Sequence, residues 1–547
     1  MTPTGERALP PCRPAPAAGG EPGRGAPESG DLAWFREGRR QQAAGRTAAA
    51  AAAYLRALEL RPEFPEALNN LGQLCLERGE TDRARACFRQ AARLAPGMPE
   101  PHFNLGELCR RQGALLAAAA HYRRALARNP RAGEAWNNLG LALQAAGDPE
   151  GAAACHRRAV RRDPDRAETH YNLGGALRAA GDLAGAAREL LAALRLKPRW
   201  PQAHNNLGLV WKAAGEPDLA AAAFSQALAL DPDLAEARWN RSFYLLLRGR
   251  LREGWEDYEY RFSIPQWKRI YPFRLDLPRW DGGPAPGKTI LVHDEQGFGD
   301  TLQFVRYLPW VRERCGRVVL ESRPELMSLL TGAPGVDALA CRPSGRPPTP
   351  DADLAVALMS LPRLCGTTLE TIPAAVPYLR PDPERVRRWA ERLAGRRPAV
   401  GIVWAGRPEH ANDGNRSCRL ERFLPLLARP GRRWIGLQKG PAAAQAEETP
   451  FQGILANWGP QLADFADTAA LVACLDLVIA VDTAVVHLAG ALAKPVWVLL
   501  SALCDWRWME ARADSPWYPT MRLFRQERPG EWEPVFEKVG RELARLG

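Results

Sequence analysis

A Leu-Gly pair recurs every 34 residues, at Leu71-Gly72, Leu105-Gly106, Leu139-Gly140, Leu173-Gly174 and Leu207-Gly208. A strict period of that length confines the chain from Asp31 to about Phe262 to stacked copies of one small unit. Asn70, Asn104, Asn138, Asn172 and Asn206 precede the pairs in register, and Gly38 and Asn240 extend the pattern in both directions. A second glycine series runs through Gly45, Gly79, Gly113, Gly147, Gly181, Gly215 and Gly249, and prolines close the units at Pro62, Pro96, Pro130, Pro164, Pro198 and Pro232. Each mark has a physical reason. The first glycine lets two helices approach, the second ends a helix in a left-handed turn, and the proline stops the following helix.

The pattern resembles the tetratricopeptide repeat, a helical hairpin that stacks into a superhelix with a concave groove. Six units are well kept. A seventh, Ala235 to Phe262, replaces Leu-Gly with Arg241-Ser242 and carries Trp255, Tyr258, Tyr260 and Phe262 in its second helix. It reads equally as a match to the domain that follows or as a plain capping helix. The asparagine ladder also has two readings. An Asn side chain donates and accepts, so Asn70, Asn104, Asn138, Asn172 and Asn206 could hold the backbone of an extended peptide, or could link helices within the array.

The chain has 547 residues and a formal charge of +12, from 74 basic and 62 acidic side chains. The excess is read as scattered arginine without Arg/aromatic alternation, so no nucleic-acid partner is expected. Eleven cysteines stand singly, with no CxxC pair. This points to a reducing, cytoplasmic setting and away from zinc or disulfide frameworks. The first 30 residues read as a disordered Pro/Gly/Ala/Arg tail. No stretch has the length and freedom from charge of a membrane span.

Beyond Phe262 the period changes. A join at 263–286 leads into alternating strands and helices, at Lys288–His293, Val318–Glu321, Val336–Ala338 and Leu354–Met359, then at Ala399–Trp404, Trp434–Gln438, Leu462–Phe465, Leu477–Val481 and Val496–Leu500. Alternation of this kind implies parallel sheets with helical crossovers. The expected organisation is a tail at 1–30, repeats at 31–262, the join at 263–286, an N-terminal α/β domain at 287–376 and a C-terminal α/β domain at 377–547. The fold class is therefore multidomain: an all-α superhelix followed by two Rossmann-like domains.

Two strand-to-helix turns carry chemistry. At Gly297-Phe298-Gly299-Asp300 the glycines admit a ligand close to the backbone, and the helix start offers unpaired N–H groups to an anion. Asp300 is either an N-cap or a base placed to take a proton from a hydroxyl nucleophile. Asp482-Thr483, with His487 one turn on, repeats the logic. Trp404 and Gly406 end a third strand, and Arg416 and Lys439 are rival cations for the charge of a departing diphosphate. Asp505-Trp506-Arg507-Trp508 reads as a cover for the sheet.

The segment Asp482 to Pro495, with Asp482-Thr483, His487-Leu488-Ala489-Gly490 and Lys494-Pro495, resembles the C-terminal motif of the heptosyltransferase-like enzymes of glycosyltransferase family 9, and Gly297–Asp300 resembles their N-terminal Gly-Asp turn. The plan of repeats followed by this region is similar to bacterial tetratricopeptide glycosyltransferases, including those implicated in flagellin modification, and to protein O-linked N-acetylglucosamine transferases. The resemblance implies a GT-B fold and an inverting glycosyltransferase that uses a nucleotide sugar, needs no metal or other cofactor, and glycosylates a protein or peptide in the repeat groove. Asp300 would be the base. Arg416 or Lys439 would stabilise charge. Gly297, Gly299, Trp404, Gly406, Lys439, Asp482, Thr483 and His487 would bind the donor. A non-catalytic interaction scaffold and a transferase acting on an envelope saccharide are the alternatives.

Overall fold

A computed structural model describes residues 30–547 apart from 266, 268–270, 272–275, 343–350, 396–397, 411 and 547. The expected tail at 1–30 lies almost wholly outside the described residues. Two compact units emerge, divided between Leu230 and Asp231.

The first unit is six helical hairpins: α1 Asp31–Ala43 with α2 Thr47–Leu60, α3 Pro65–Glu77 with α4 Thr81–Leu94, α5 Glu100–Arg111 with α6 Leu115–Arg128, α7 Gly133–Ala145 with α8 Pro149–Arg162, α9 Ala167–Ala179 with α10 Leu183–Leu196, and α11 Pro201–Ala214 with α12 Pro217–Leu230. The turn glycines do what their spacing predicts. Gly79, for example, sits at φ 78°, in the left-handed region.

The Leu-Gly pairs have a packing cause. A Cβ on Gly72 would lie 2.6 Å from the Phe88 ring, one on Gly106 2.7 Å from Tyr122, and one on Gly208 2.6 Å from Phe224. Each first helix thus receives a large side chain of its own second helix in the space a methyl group would fill. That side chain keeps the 34-residue period through Tyr54, Phe88, Tyr122, His156, Leu190 and Phe224, all fully buried. Gly106→Ala should therefore cost the repeats about 1–3 kcal/mol by overpacking. Gly175→Ala, whose Cβ would find its nearest neighbour at 3.9 Å, should be neutral or stabilising by up to about 1 kcal/mol through helix propensity. Thermal melts of the two variants check the contrast.

The second unit begins with the seventh hairpin, α13 Ala235–Leu247 and α14 Leu251–Tyr258, and continues into two parallel sheets. The first holds β1 Ala285–His293, β2 Cys315–Ser322, β3 Ala338–Cys341 and β4 Leu354–Ala357, in the order β3-β2-β1-β4. The second holds β5 Ala399–Val403, β6 Arg433–Gly436, β7 Leu455–Asn457, β8 Leu477–Val481, β9 Val496–Leu500 and β10 Met521–Arg525, in the order β10-β9-β8-β5-β6-β7. Every pairing in both sheets is parallel.

Counted within its own sheet, the second order is 3-2-1-4-5-6 read from the β7 edge. This is the doubly wound order that leaves a crevice at the carboxyl ends of β5 and β8. The strand expected at Leu462–Phe465 is absent. Asp464 instead caps the helix Phe465–Ala473 by accepting from the Asp467 amide. β7, β10 and the closing helix Glu533–Arg545 were not anticipated.

The aromatic residues of α14 pack into the α/β region. Trp255, 1% exposed, sets its ring edge-on to Phe304 at 5.8 Å and to Trp506 at 5.1 Å.

Candidate functional site

β1 delivers a polar loop, Asp294-Glu295-Gln296-Gly297, and then the helix Phe298–Phe304. The seventh hairpin holds this loop. Arg261, fully buried just beyond α14, binds both Glu295 oxygens at 2.9 and 2.8 Å and donates to Ser360 at 2.9 Å. The Gln296 amide donates to the Tyr258 hydroxyl. Asp294, also fully buried, pairs with Arg342 at 2.7 Å and accepts from Thr301 and Ser322.

Asp300 accepts from the Gly297 amide at 2.6 Å, which makes it part of the helix cap. It is also ion-paired to Arg507. Arg507 is 8% exposed, bonds Asp505 at 2.8 Å and Gln303 at 2.7 Å, and lies over the Trp506 ring at 4.3 Å. The sequence reading made this segment a cover. In the structure Arg507 is also the cation that faces Asp300.

β8 ends at Val481. Asp482 follows, and Thr483 is the N-cap residue of the helix Ala484–Ala491. Burial and the Asp505 charge push Asp482 up to about 6, against the opposing pull of Arg416 and Arg507. The Thr483 hydroxyl is buried and has no hydrogen-bond partner among the described residues. His487 bonds the Tyr518 hydroxyl at 3.1 Å and stacks on Trp508 at 5.4 Å, and burial drives its pKa well down. A Cβ on Gly299 would lie 2.8 Å from the His487 ring. The starts of the two helices therefore meet at Gly299 and His487, with no gap between them at that point.

At the end of β5, the Gln438 side chain accepts from the amides of Trp404 and Ala405 at 3.1 and 2.9 Å. Trp404 is fully buried. Gly406 donates to Ser417 at 2.8 Å, and a Cβ there would lie 2.5 Å from both Arg416 and Asp413. Arg416 pairs with Asp413 at 3.2 Å and contributes to the field at Asp482. Lys439 is turned away and donates to the Leu462 carbonyl.

The structure thus gathers Asp300, Arg416 and Asp482, together with Asp505 and Arg507, at the carboxyl ends of the strands. His410 joins this field, its pKa lowered by burial and then by Arg416. Sequence reasoning missed Asp505, Arg507 and Gln438. The one available signal was an arginine set between two tryptophans after the last predicted strand. Beside the Arg416 loop a surface cavity of about 580 Å³ is lined by Gly414, Ser417, Arg419, Arg422, Gly530 and Trp532, among others. Among the described residues, no group of three or more His, Cys, Asp or Glu side chains is placed to hold a metal, and no helix is long and apolar enough to cross a membrane.

In the repeat array, Asn104 donates to Asn69 at 2.8 Å, Asn172 to Asn137 at 2.9 Å and Asn70 to the Tyr54 hydroxyl at 3.2 Å. Asn206 bonds Tyr171. Asn138 accepts weakly from Asn137 at 3.5 Å. Asn104 is buried and the other four are partly buried.

The family models fall on the helical half. The tetratricopeptide repeat family matches residues 35–99, 76–132, 103–154 and 137–204, and a second tetratricopeptide repeat family matches 201–234. Protein FlbA of Caulobacter vibrioides is 32% identical over 334 residues, covering 57% of this chain and 55% of FlbA, so the chain spans about half the length of that relative. Among solved structures, YrrB, a TPR protein with an unusual peptide-binding site, is 22% identical, covers 34% of this chain and 96% of its own, and has a TM-score of 0.33. Pseudomonas aeruginosa PilF is 25% identical over 38% of this chain and 93% of its own, with a TM-score of 0.31. Residues 35–234 are accordingly a tetratricopeptide-repeat region, followed by two α/β sheet regions.

Proposed function

We propose that this chain is a protein-binding scaffold that also carries a sugar-transfer site. The scaffold part has the better support, because the family matches fall on the repeats and a stacked hairpin array offers an extended surface to a peptide or protein. The transfer part rests on one observation. Carboxylates and guanidiniums from both sheets converge where a doubly wound sheet leaves its ligand crevice, at Asp300, Arg416, Asp482 and Arg507.

In this reading the α/β half takes the GT-B arrangement, with domains at 287–376 and 377–547. Thr483, its hydroxyl unpartnered, and the amides that follow hold the diphosphate of a nucleotide sugar. Gly297, Gly299, Trp404, Gly406, Asp482 and His487 shape the donor side. An acceptor hydroxyl oxygen attacks the anomeric carbon, the bond to the diphosphate oxygen breaks, and Asp300 takes the hydroxyl proton. Arg416 offsets the charge of the departing nucleoside diphosphate, a role its position supports over that of Lys439. The anomeric centre inverts.

A scaffold without transfer is the second reading. The Arg507 ion pair favours it, since a carboxylate already held by a buried cation and a backbone amide is poorly placed to accept a proton.

Free nucleotide released from UDP-, ADP-, GDP- and CMP-sugars separates the two. Transfer predicts release from at least one donor, with Asp300→Asn lowering the rate by 10²-fold or more, on the order expected for loss of a general base, while donor binding is retained. No release from any donor leaves the scaffold alone.

A further inference from the structure

The arginines that look scattered along the sequence are ordered by the repeat. α4 carries four arginines and one acid, α6 three arginines and no acid, and α8 four arginines and one acid. Arg89, Arg123 and Arg157 share one repeat position, and Arg124 with Arg158 and Arg128 with Arg162 share two others. All seven are exposed. Neighbouring rows lie close together. Arg89 of α4 and Arg124 of α6 both act on His121, and Arg123 of α6 and Arg158 of α8 both act on Cys155. The side chains of Arg89, Arg123, Arg157 and Arg162 make no ion pair or hydrogen bond among the described residues.

The first helices of successive hairpins touch one another more than the second helices do, so these second helices form the outer row of the array, opposite the side on which the asparagines sit.

We propose that this outer row is a second docking surface, and that its partner is an acidic, extended protein segment. Charge complementarity sets the sign. Like-charged guanidiniums held in register without internal partners repel one another, and a polyanion relieves that repulsion. Spacing selects the class. Successive second helices are not packed directly on one another, so a partner must reach from row to row, as an extended chain does at about 3.3 Å per residue. A nucleic acid would want aromatic platforms for its bases. On these helices Phe88, Tyr122 and His156 are fully buried, and no aromatic residue is exposed. This surface is independent of the transfer site and of the inner groove.

The test is fluorescence anisotropy of the full chain with three labelled probes: a repeating Asp-Ser-Gly peptide, a single-stranded RNA, and phosphatidylserine-containing vesicles. The expected result is peptide binding that weakens as salt rises and falls about tenfold or more in the triple variant Arg89→Glu, Arg123→Glu, Arg157→Glu, with an unchanged thermal melt. If that variant melts early, Arg123→Gln alone is compared for the same probe order. Absence of peptide binding at low salt, undiminished binding by a folded variant, or tighter binding to RNA or vesicles would each overturn the proposal.

Discussion

Arg261→Ala is expected to cost the second unit about 3–5 kcal/mol, the scale for removing one partner of a buried ion pair. Arg261 is fully buried, and with it gone Glu295, also buried, keeps only the Met359 amide among its close partners. Burial already pushes the Glu295 carboxyl up, and Arg261 opposes that shift. Without Arg261, Glu295 would take a proton or drag water inward. The loop that presents Asp300 would loosen with it, because Glu295 and Gln296 are both held by the seventh hairpin. Denaturant unfolding measures the cost. Arg261→Lys, which keeps charge but not the two-pronged contact, should fall between wild type and alanine. A loss under about 1 kcal/mol would mean that the hairpin does not support the site.

His156→Phe is expected to stabilise the repeats and to remove much of their sensitivity to acid. His156 occupies the position that Phe88 and Phe224 fill in other hairpins, is fully buried, and leaves both ring nitrogens without hydrogen-bond partners. Burial lowers its pKa from the ordinary 6.5 to about 4. The folded state therefore binds this proton less readily than the unfolded chain. Stability from this group is intact above about pH 6.5, falls as pH drops, and is fully lost below about pH 4. The total swing is about 3 kcal/mol. His102 is shifted the same way, so the repeats should retain a weaker acid response in the variant. Phenylalanine also removes two orphaned polar atoms, worth about 2 kcal/mol at neutral pH. Thermal melts from pH 7.5 down to about pH 4 check both effects. A wild-type melt flat across that range would contradict the assignment.

What the sequence reveals of this molecule follows from where each constraint acts. The repeat was readable because its cause is local: the glycine and the side chain it receives lie 16 positions apart, as with Gly72 and Phe88, and recur in the first six hairpins. The parallel sheets were readable because apolar strands end in polar turns at Asp294 and Asp482. β7 was missed because three residues carry no period of their own, and β10 because its two arginines break the apolar run that marks the other strands of the sheet.

The site divides in the same way. Asp300 and Asp482 stand out as carboxylates at strand-to-helix turns. Arg507 does not, because its partner Asp300 lies 207 positions away and only the closed fold brings them together. For the same reason the sequence left Arg416 and Lys439 as rivals, whereas the fold turns one into the cluster and the other toward Leu462.

The account holds that the polar cluster at the ends of β5 and β8 receives a diphosphate. Isothermal titration of UDP, ADP, GDP and CDP into the full chain tests this most directly, with Arg416→Ala as the matched variant. The account predicts saturable binding of at least one nucleotide, weakened about tenfold or more by the loss of Arg416. No binding by any of the four, or binding untouched in Arg416→Ala, would contradict it.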